Sequence, residues 1–335
     1  MRVKGVVQGV GFRPFLYRLA QEYHIVGTVQ NDAHGVLLDA QGNNADLDNF
    51  ILAIEKETPP LARITHISYE EREQDDFDSF QIIKSSNDIE RSVLISPDVA
   101  TCDDCLHEIF NEDDRRYRYP FTNCTNCGPR YTITADIPYD RPNTTMASFK
   151  MCPDCQREYD DPNNRRFHAQ PNACPICGPA VSLHDARGEV ISTAEPIARA
   201  VEFLKNGEIL AIKGLGGFHL AADALNENAV VKLRQRKHRE EKPLAIMAPD
   251  IATIEKIAHV SASELRLLTS HERPIVLLRK KEESKIAKSV SPGNAFIGVM
   301  LPYTPIHHLI LRNNFTALVM TSGNYSEEPI AKDNQ

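Results

Sequence analysis

The chain is 335 residues long, 41% hydrophobic and 25% charged, with a formal net charge of −8. That length exceeds what one hydrophobic core organises, so two or three domains are expected. No apolar run reaches the roughly 20 residues of a helical membrane span, Met1 is not followed by a signal-peptide core, and the acidic balance disfavours a general nucleic-acid coat; the expected location is the cytoplasm.

Residues 3–8 read as a strand running into the glycine-rich turn Gly5-Val6-Val7-Gln8-Gly9-Val10-Gly11-Phe12-Arg13. Phe15, Leu16, Leu19, Ala20 and Tyr23 put an apolar stripe on the helix that follows. Residues 25–31 and 36–40 read as strands. Leu47, Phe50, Ile51 and Ile54 mark a second amphipathic helix stopped at Pro59-Pro60, and residues 64–70 and 80–84 read as further strands. A βαββαβ order within residues 1–84 is the ferredoxin-like arrangement. The chemistry lies in the first turn, where glycines let backbone N–H groups converge at the positive end of a helix and Arg13 adds a planar fork suited to phosphate oxygens. A lone glycine-rich turn with a surface arginine would be ordinary. This one, with Gly27 and Asn31 after the helix, resembles the acylphosphatase signature. The resemblance implies that Arg13 and the backbone of Gln8, Gly9, Val10, Gly11 and Phe12 hold an acyl phosphate while Asn31 orients the attacking water. That is catalysis by positioning and charge stabilisation, with no covalent intermediate.

Residues 85–100, with Ser85-Ser86-Asn87-Asp88 and Ser96-Pro97-Asp98, read as a linker. All eight cysteines then follow as four CxxC pairs: Cys102/Cys105, Cys124/Cys127, Cys152/Cys155 and Cys174/Cys177. An offset of 50 superimposes the block on itself and also brings Asp104 onto Asp154, Arg115-Arg116 onto Arg165-Arg166 and Gly128-Pro129 onto Gly178-Pro179, an internal duplication. Two pairs supply four soft ligands, so the block implies two zinc ions. All-cysteine sites are closed and structural, and His107 and His168 lack counterparts in the repeat, so structural zinc is expected rather than catalytic zinc or a redox CxxC. One ion per repeat is the simple pairing. The nested pairing, Cys124/Cys127 with Cys152/Cys155 and Cys102/Cys105 with Cys174/Cys177, is favoured. Glycine follows Cys127 and Cys177 as in a metal-binding turn, helix-compatible sequence follows Cys102 and Cys152, and residues 131–134 and 137–139 offer the hairpin of a treble clef. Nesting would tie the two ends of the block together. Arg115, Arg116, Arg118, Arg130, Arg165 and Arg166, interleaved with Tyr117, Tyr119 and Phe167, suit nucleic acid or a docking face; the acidic chain favours docking.

Beyond residue 181, Ile197, Ala200, Val201 and Leu204 mark a helix ending near Asn206-Gly207. Residues 209–213, 244–247, 275–278 and 317–320 read as short apolar strands. Helical patterns between them, at 230–233 and 263–268, argue an α/β domain with a mixed or parallel sheet. Lys232, Arg234, Arg236, Lys237, Arg239 and Lys242 crowd one stretch that leads through Pro243 into an apolar strand; a solvated helix face is the bland reading and a polyphosphate site the sharper one. Thr321-Ser322-Gly323-Asn324 ends another strand with groups suited to phosphate or carboxylate.

The basic cluster, the Lys-Pro before a strand and the Thr-Ser-Gly-Asn end resemble the YrdC/Sua family, which binds ATP and makes carbamoyl-type adenylates. Lys213-Gly214-Leu215-Gly216-Gly217-Phe218-His219 departs from the Pro-Thr-x-Thr stretch of the tRNA-modifying members and looks like the variant of the HypF family. The three segments in this order also resemble HypF, the carbamoyltransferases of nickel–iron hydrogenase maturation. The implied architecture is multidomain α+β and α/β: a ferredoxin-like acylphosphatase domain at 1–84, a linker at 85–100, a duplicated treble-clef-like two-zinc domain at 101–180 and a YrdC-like domain at 181–335. The implied chemistry is hydrolysis of carbamoyl phosphate to carbamate and then condensation with ATP, accompanied by Mg²⁺, to carbamoyl-adenylate. The carbamoyl group is destined for the C-terminal cysteine of the partner protein HypE. Lys213, His219, Lys232, Arg234, Arg236, Lys237, Lys242, Thr321, Ser322 and Asn324 are the implied nucleotide and carbamate residues. The family continues past the last residue here, so a truncated third domain and no transfer to HypE are expected. Two alternatives stay open: a threonylcarbamoyl-adenylate synthase of tRNA modification, which the glycine-rich stretch and the first domain disfavour, and an inactive zinc-based binding module, which Arg13 and Asn31 disfavour.

Overall fold

The computed structural model describes residues 1–85, 94–239, 241–325 and 328–334. The chain divides into two compact units, residues 1–105 with 122–179, and residues 106–121 with 180–335.

The first unit opens with β1 (Arg2–Val6), α1 (Phe12–Glu22), β2 (Val26–Asp32), β3 (Gly35–Gln41), α2 (Asn44–Lys56), β4 (Arg63–Ser68) and β5 (Phe80–Ile82). The sheet order is β4-β1-β3-β2-β5. The first four strands are antiparallel, β5 runs parallel to β2, and the register places Val29 opposite Leu38. The ferredoxin-like expectation is met, with β5 as an added edge. The apolar stripes read from the sequence bury Leu16, Leu19, Phe50 and Ile54 against Val3, Val29, Val36 and Leu38.

The rest of this unit carries the cysteines. Helices α3 (Asp103–Phe110) and α4 (Pro153–Asp160) start directly after Cys102 and Cys152. Ile95 bridges to Gln8 and Val99 pairs with Gly128, so residues 94–100 pack into the unit; residues 86–93 lie outside the described ones. The hairpin expected at 131–139 does not form. One short 3-10 turn, Tyr131–Ile133, lies in that stretch instead, and two more follow it at Arg141–Asn143 and Thr145–Ser148. Pro138 and Pro142 lack the N–H a ladder needs. Arg141 moreover bonds the carbonyls of Gln170, Asn172 and Phe149 at 2.6, 2.9 and 2.7 Å, which takes the chain across to the second repeat. The duplication itself is physical: Arg118 and His168, fifty positions apart, both hold positive φ (56° and 51°). Their N–H groups bond Ile109 and Tyr159 carbonyls, again fifty apart.

The second unit holds α5 (Pro196–Lys205), β6 (Leu210–Lys213), β7 (Phe218–Asp223), α6 (Glu227–Lys237), β8 (Ala245–Met247), α7 (Ile251–Ile257), β9 (Ala258–His259), α8 (Ala262–Thr269), β10 (Val276–Lys280), β11 (Phe296–Met300), α9 (Pro305–Leu311) and β12 (Leu318–Ser322). Its seven-stranded sheet runs β6-β7-β12-β8-β11-β10-β9 and is mixed as expected, with β8 and β11 the parallel pair. Both faces are covered. Alternation along β12 sends Val319 into the core beneath α6 and α7, and Leu318 and Met320 into the core of α5, α9 and Ile109. β7 and β11 were not foreseen, because glycines and polar residues interrupt their apolar pattern. Among the described residues no helix is long and apolar enough to cross a membrane.

Candidate functional site

In the first unit the turn before α1 has a backbone geometry that could hold an anion. Gly9 and Gly11 both sit at φ 73°, a left-handed conformation that turns successive N–H groups to one side. Gly11 is the N-cap of α1, makes no side-chain cap, and the first turn carries no acidic residue. The helix end therefore keeps uncapped N–H donors and an uncompensated positive dipole. Gln8 pins the turn, its amide donating to the carbonyls of Asp32 and Gly35 at 2.8 and 2.7 Å. Val10 and Phe12 anchor it in the core, each 1% exposed. Arg13 and Asn31 line one cavity with Gln8, Gly9, Gly11 and Phe12, together with Arg130, Tyr139 and His168 from the cysteine block.

That last set was not read from the sequence. Arg130 spends its guanidinium on the carbonyls of Gly9, Cys124, Thr125, Cys127 and Pro129, which fastens the Cys124–Cys127 turn to the Gly9–Gly11 turn. A side chain on Gly9 would meet Arg130 Cδ at 3.1 Å and the Tyr139 ring at 3.4 Å; one on Gly11 would meet Thr125 Cγ2 at 2.7 Å. Both glycines thus serve clearance as well as conformation. Asn31 donates to the Tyr139 carbonyl at 3.2 Å, while its buried Oδ1 has no partner among the described residues. Arg13 donates to Asp140 Oδ1 at 2.6 Å and so is held by a carboxylate that Ser85 also contacts. Burial and the neighbouring Arg13 charge push His168 down to about 4, so its ring is neutral near pH 7.

The cysteines form two clusters, Cys102, Cys105, Cys124 and Cys127, and Cys152, Cys155, Cys174 and Cys177. The favoured nested pairing is therefore wrong, and each repeat makes its own site. The physical reason is the missing hairpin: the stretch after Cys127 runs off to pack on Gln8 and Gly9 instead of returning Cys152 to it. Four sulfurs about 2.3 Å from a tetrahedral zinc lie about 3.8 Å apart. The sulfur separations fit this, at 3.4 to 3.8 Å in the first cluster and 3.6 to 3.8 Å in the second. Arg165 donates to Cys105 Sγ at 3.0 Å, which offsets the negative charge of a four-thiolate site. Arg116, Arg130 and Arg166 are buried, not displayed as a basic face. A Cys102→Ser/Cys124→Ser double substitution should lower bound zinc from two ions per chain to one by elemental analysis, with the second cluster intact; weakening of both ions would restore the nested pairing.

In the second unit three expected residues meet at the C-terminal end of β12. Lys237 Nζ donates to the Ser322 and Asn324 carbonyls, both at 2.6 Å, and to Asn324 Oδ1 at 3.0 Å. Ser322 Oγ donates to that same Oδ1 at 2.6 Å. Burial, with Arg239 beside it, lowers the Lys237 pKa. His219 lies opposite Ser322 in the sheet and Thr321 opposite Leu220. Lys213 stands at the end of β6 and bonds Asn334. The other members of the basic cluster go elsewhere. Arg234 braces the carbonyls of Ser289, Val290, Arg239 and Lys242. Lys232 pairs with Glu208 at 3.1 Å, and Arg236 and Lys242 are exposed. Behind His219, the buried ring of His307 packs on Tyr303, and its nitrogens and the Thr304 hydroxyl lack hydrogen-bond partners among the described residues. Burial pushes His307 down to about 3.

Three family models match the chain, described as Acylphosphatase at residues 1–82, HypF finger at 101–134 and 151–184, and Telomere recombination (Sua5, YciO, YrdC) at 202–335. The carbamoyltransferase HypF2 of Cupriavidus necator is 51% identical over the whole chain, and the HypF of Synechocystis 50%. The chain belongs to the HypF family. It spans about 44% of the length of these curated HypF relatives. A crystal structure of full-length HypF, described as phosphate- and nucleotide-bound, matches 99% of this chain and 43% of its own, with a TM-score of 0.94 and 48% identity. The HypF of T. kodakarensis matches at a TM-score of 0.90 and 47% identity. The residues that sequence reasoning missed in this HypF chain, Arg130, Tyr139 and Asp140, had one available signal: Arg130 follows Gly128-Pro129, whereas Ala180 stands at its repeat-equivalent, so the repeats diverge there.

Proposed function

We propose that the first unit hydrolyses carbamoyl phosphate to carbamate and phosphate. The observation that carries this reading is the uncapped N-terminus of α1 behind the Gly9–Gly11 turn, with Arg13 and Asn31 on the same cavity. Phosphate oxygens would accept from the loop N–H groups and from Arg13, which releases Asp140. Water on Asn31 attacks phosphorus, the P–O bond to the acyl group breaks, and carbamate leaves; the donors stabilise the charge that builds on phosphorus.

The second unit would use that carbamate. Its oxygen attacks the α-phosphorus of ATP, giving carbamoyl-adenylate and pyrophosphate, with Mg²⁺ entering as the counter-ion of ATP. Lys237, Ser322 and Asn324 support this reading, since a desolvated cation beside hydroxyl and amide groups at a strand end suits a nucleotide phosphate. The carbamoyl group would pass ultimately to the C-terminal cysteine of HypE. The two cysteine clusters would hold structural zinc, which keeps the thiolates in place, and the reducing cytoplasm suits them.

ATP–pyrophosphate exchange tests the scheme. Exchange should require carbamoyl phosphate and should not respond to threonine with bicarbonate. Lys237→Ala should raise the apparent KM for ATP at least tenfold. Exchange driven by threonine would overturn the assignment in favour of the tRNA-modification chemistry.

A further inference from the structure

The first-unit cavity contains a group that hydrolysis of the phosphate does not use. Tyr139 is 2% exposed, its hydroxyl faces no hydrogen-bond partner among the described residues, and its ring packs over Gly9 of the phosphate loop. The backbone around it is fully engaged: its N–H donates to Gln8 Oε1 at 2.9 Å and its carbonyl accepts from Asn31. The position of the ring is thus fixed by the same two residues that fix the site, and the free hydroxyl is held there at a desolvation cost. His168 lines the same cavity with a neutral ring. Arg130, the other polar neighbour, has its donors on backbone carbonyls and none to spare for a ligand.

An unpaired buried hydroxyl beside a phosphate loop calls for a polar group on the acyl side of the substrate. A carbamoyl group presents an NH₂ where an acetyl group presents a methyl. The NH₂ gives the hydroxyl oxygen an N–H to accept; the methyl leaves it unpaired and buried. Sites built to hydrogen-bond a substrate group reject analogues that lack it far better than apolar pockets reject a methyl.

We propose that the Tyr139 hydroxyl, supported by His168, is the determinant that selects carbamoyl phosphate over other acyl phosphates. The acylphosphatase-like fold then supplies phosphate binding and attack, while the cysteine block supplies acyl-group recognition. This rests on the hydrolytic reading above.

The test compares kcat/KM for carbamoyl phosphate and acetyl phosphate in the intact chain and in Tyr139→Phe, a change that keeps the ring over Gly9 and leaves the backbone bonds in place. The ratio of the two constants, each first divided by its uncatalysed rate, should favour carbamoyl phosphate at least tenfold in the natural chain. It should fall to near unity in Tyr139→Phe, through loss on carbamoyl phosphate alone. Parallel loss on both substrates would mean that the hydroxyl serves the phosphate and would overturn the proposal, as would an unchanged ratio. A natural chain that turns over both substrates equally sinks the selectivity and leaves hydrolysis standing. A natural chain that hydrolyses neither sinks both.

Discussion

Replacing Arg13 by alanine should lower phosphate release from carbamoyl phosphate by about 10²–10³-fold, the usual loss when one preorganised charge-stabilising donor is removed. Arg130 is consumed by five carbonyls, whereas Arg13 bonds one carboxylate, Asp140, with a long contact to the Tyr139 carbonyl. In the resting protein Arg13 is neutralised by Asp140, and a phosphate must displace that carboxylate before it can bind. Asp140→Asn removes the competitor and should therefore tighten inorganic phosphate binding, read by calorimetry, while Arg13→Ala weakens it. Equal phosphate release by the natural chain and by Arg13→Ala would favour a binding module over an enzyme.

Removal of the metal should have the larger structural effect. Structural zinc sites of this kind contribute about 10–16 kcal/mol of apparent binding free energy, comparable to or greater than the roughly 5–15 kcal/mol that keeps a whole domain folded. Stripping both ions with a strong chelator should unfold residues 122–179. The phosphate loop would then lose Arg130 from the Gly9 carbonyl, Thr125 from beside Gly11 and the Tyr139 carbonyl from Asn31. Phosphate release should fall at least tenfold although no residue of the loop itself has been touched, and Cys105→Ser should reproduce the loss. Full hydrolytic activity with zinc absent by elemental analysis would show that the cysteine block merely adjoins the site.

The difference between what could and could not be read from the sequence follows the range over which each residue acts. The glycine-rich turn and the start of α1 were legible because they are local: glycines, a helix start and an arginine occupy consecutive positions. The cysteine pairs were legible for the same reason, and α3 and α4 began where the acidic residues after Cys102 and Cys152 placed them. The pairing of the clusters was not, because it depends on where residues 128–151 travel, and a run of 3-10 turns has no periodicity to announce it. Arg130 and Tyr139 act on a loop more than a hundred positions earlier, and nothing adjacent to them in the chain points there. The basic cluster of α6 failed differently. Its residues look alike in sequence, yet helical geometry sends Arg234 inward as a brace, Lys232 to Glu208 and Lys237 to the end of β12. The cysteine block, expected to be structural, also supplies one wall of the first cavity.

The first unit is interrupted by residues 106–121, which belong to the second, and Ile109 lies in a core completed by Leu309, Ile310 and Met320. On the ribosome this segment emerges long before α9 and β12 have been made. Domains generally fold as units, starting from the N-terminus; each cysteine cluster can close once Cys127 or Cys177 has been made, but the core around Ile109 cannot be finished before residues 309–320 exist. The nascent chain must keep Leu106, Ile109 and Phe110 waiting, apolar and without these partners, while about two hundred further residues are made.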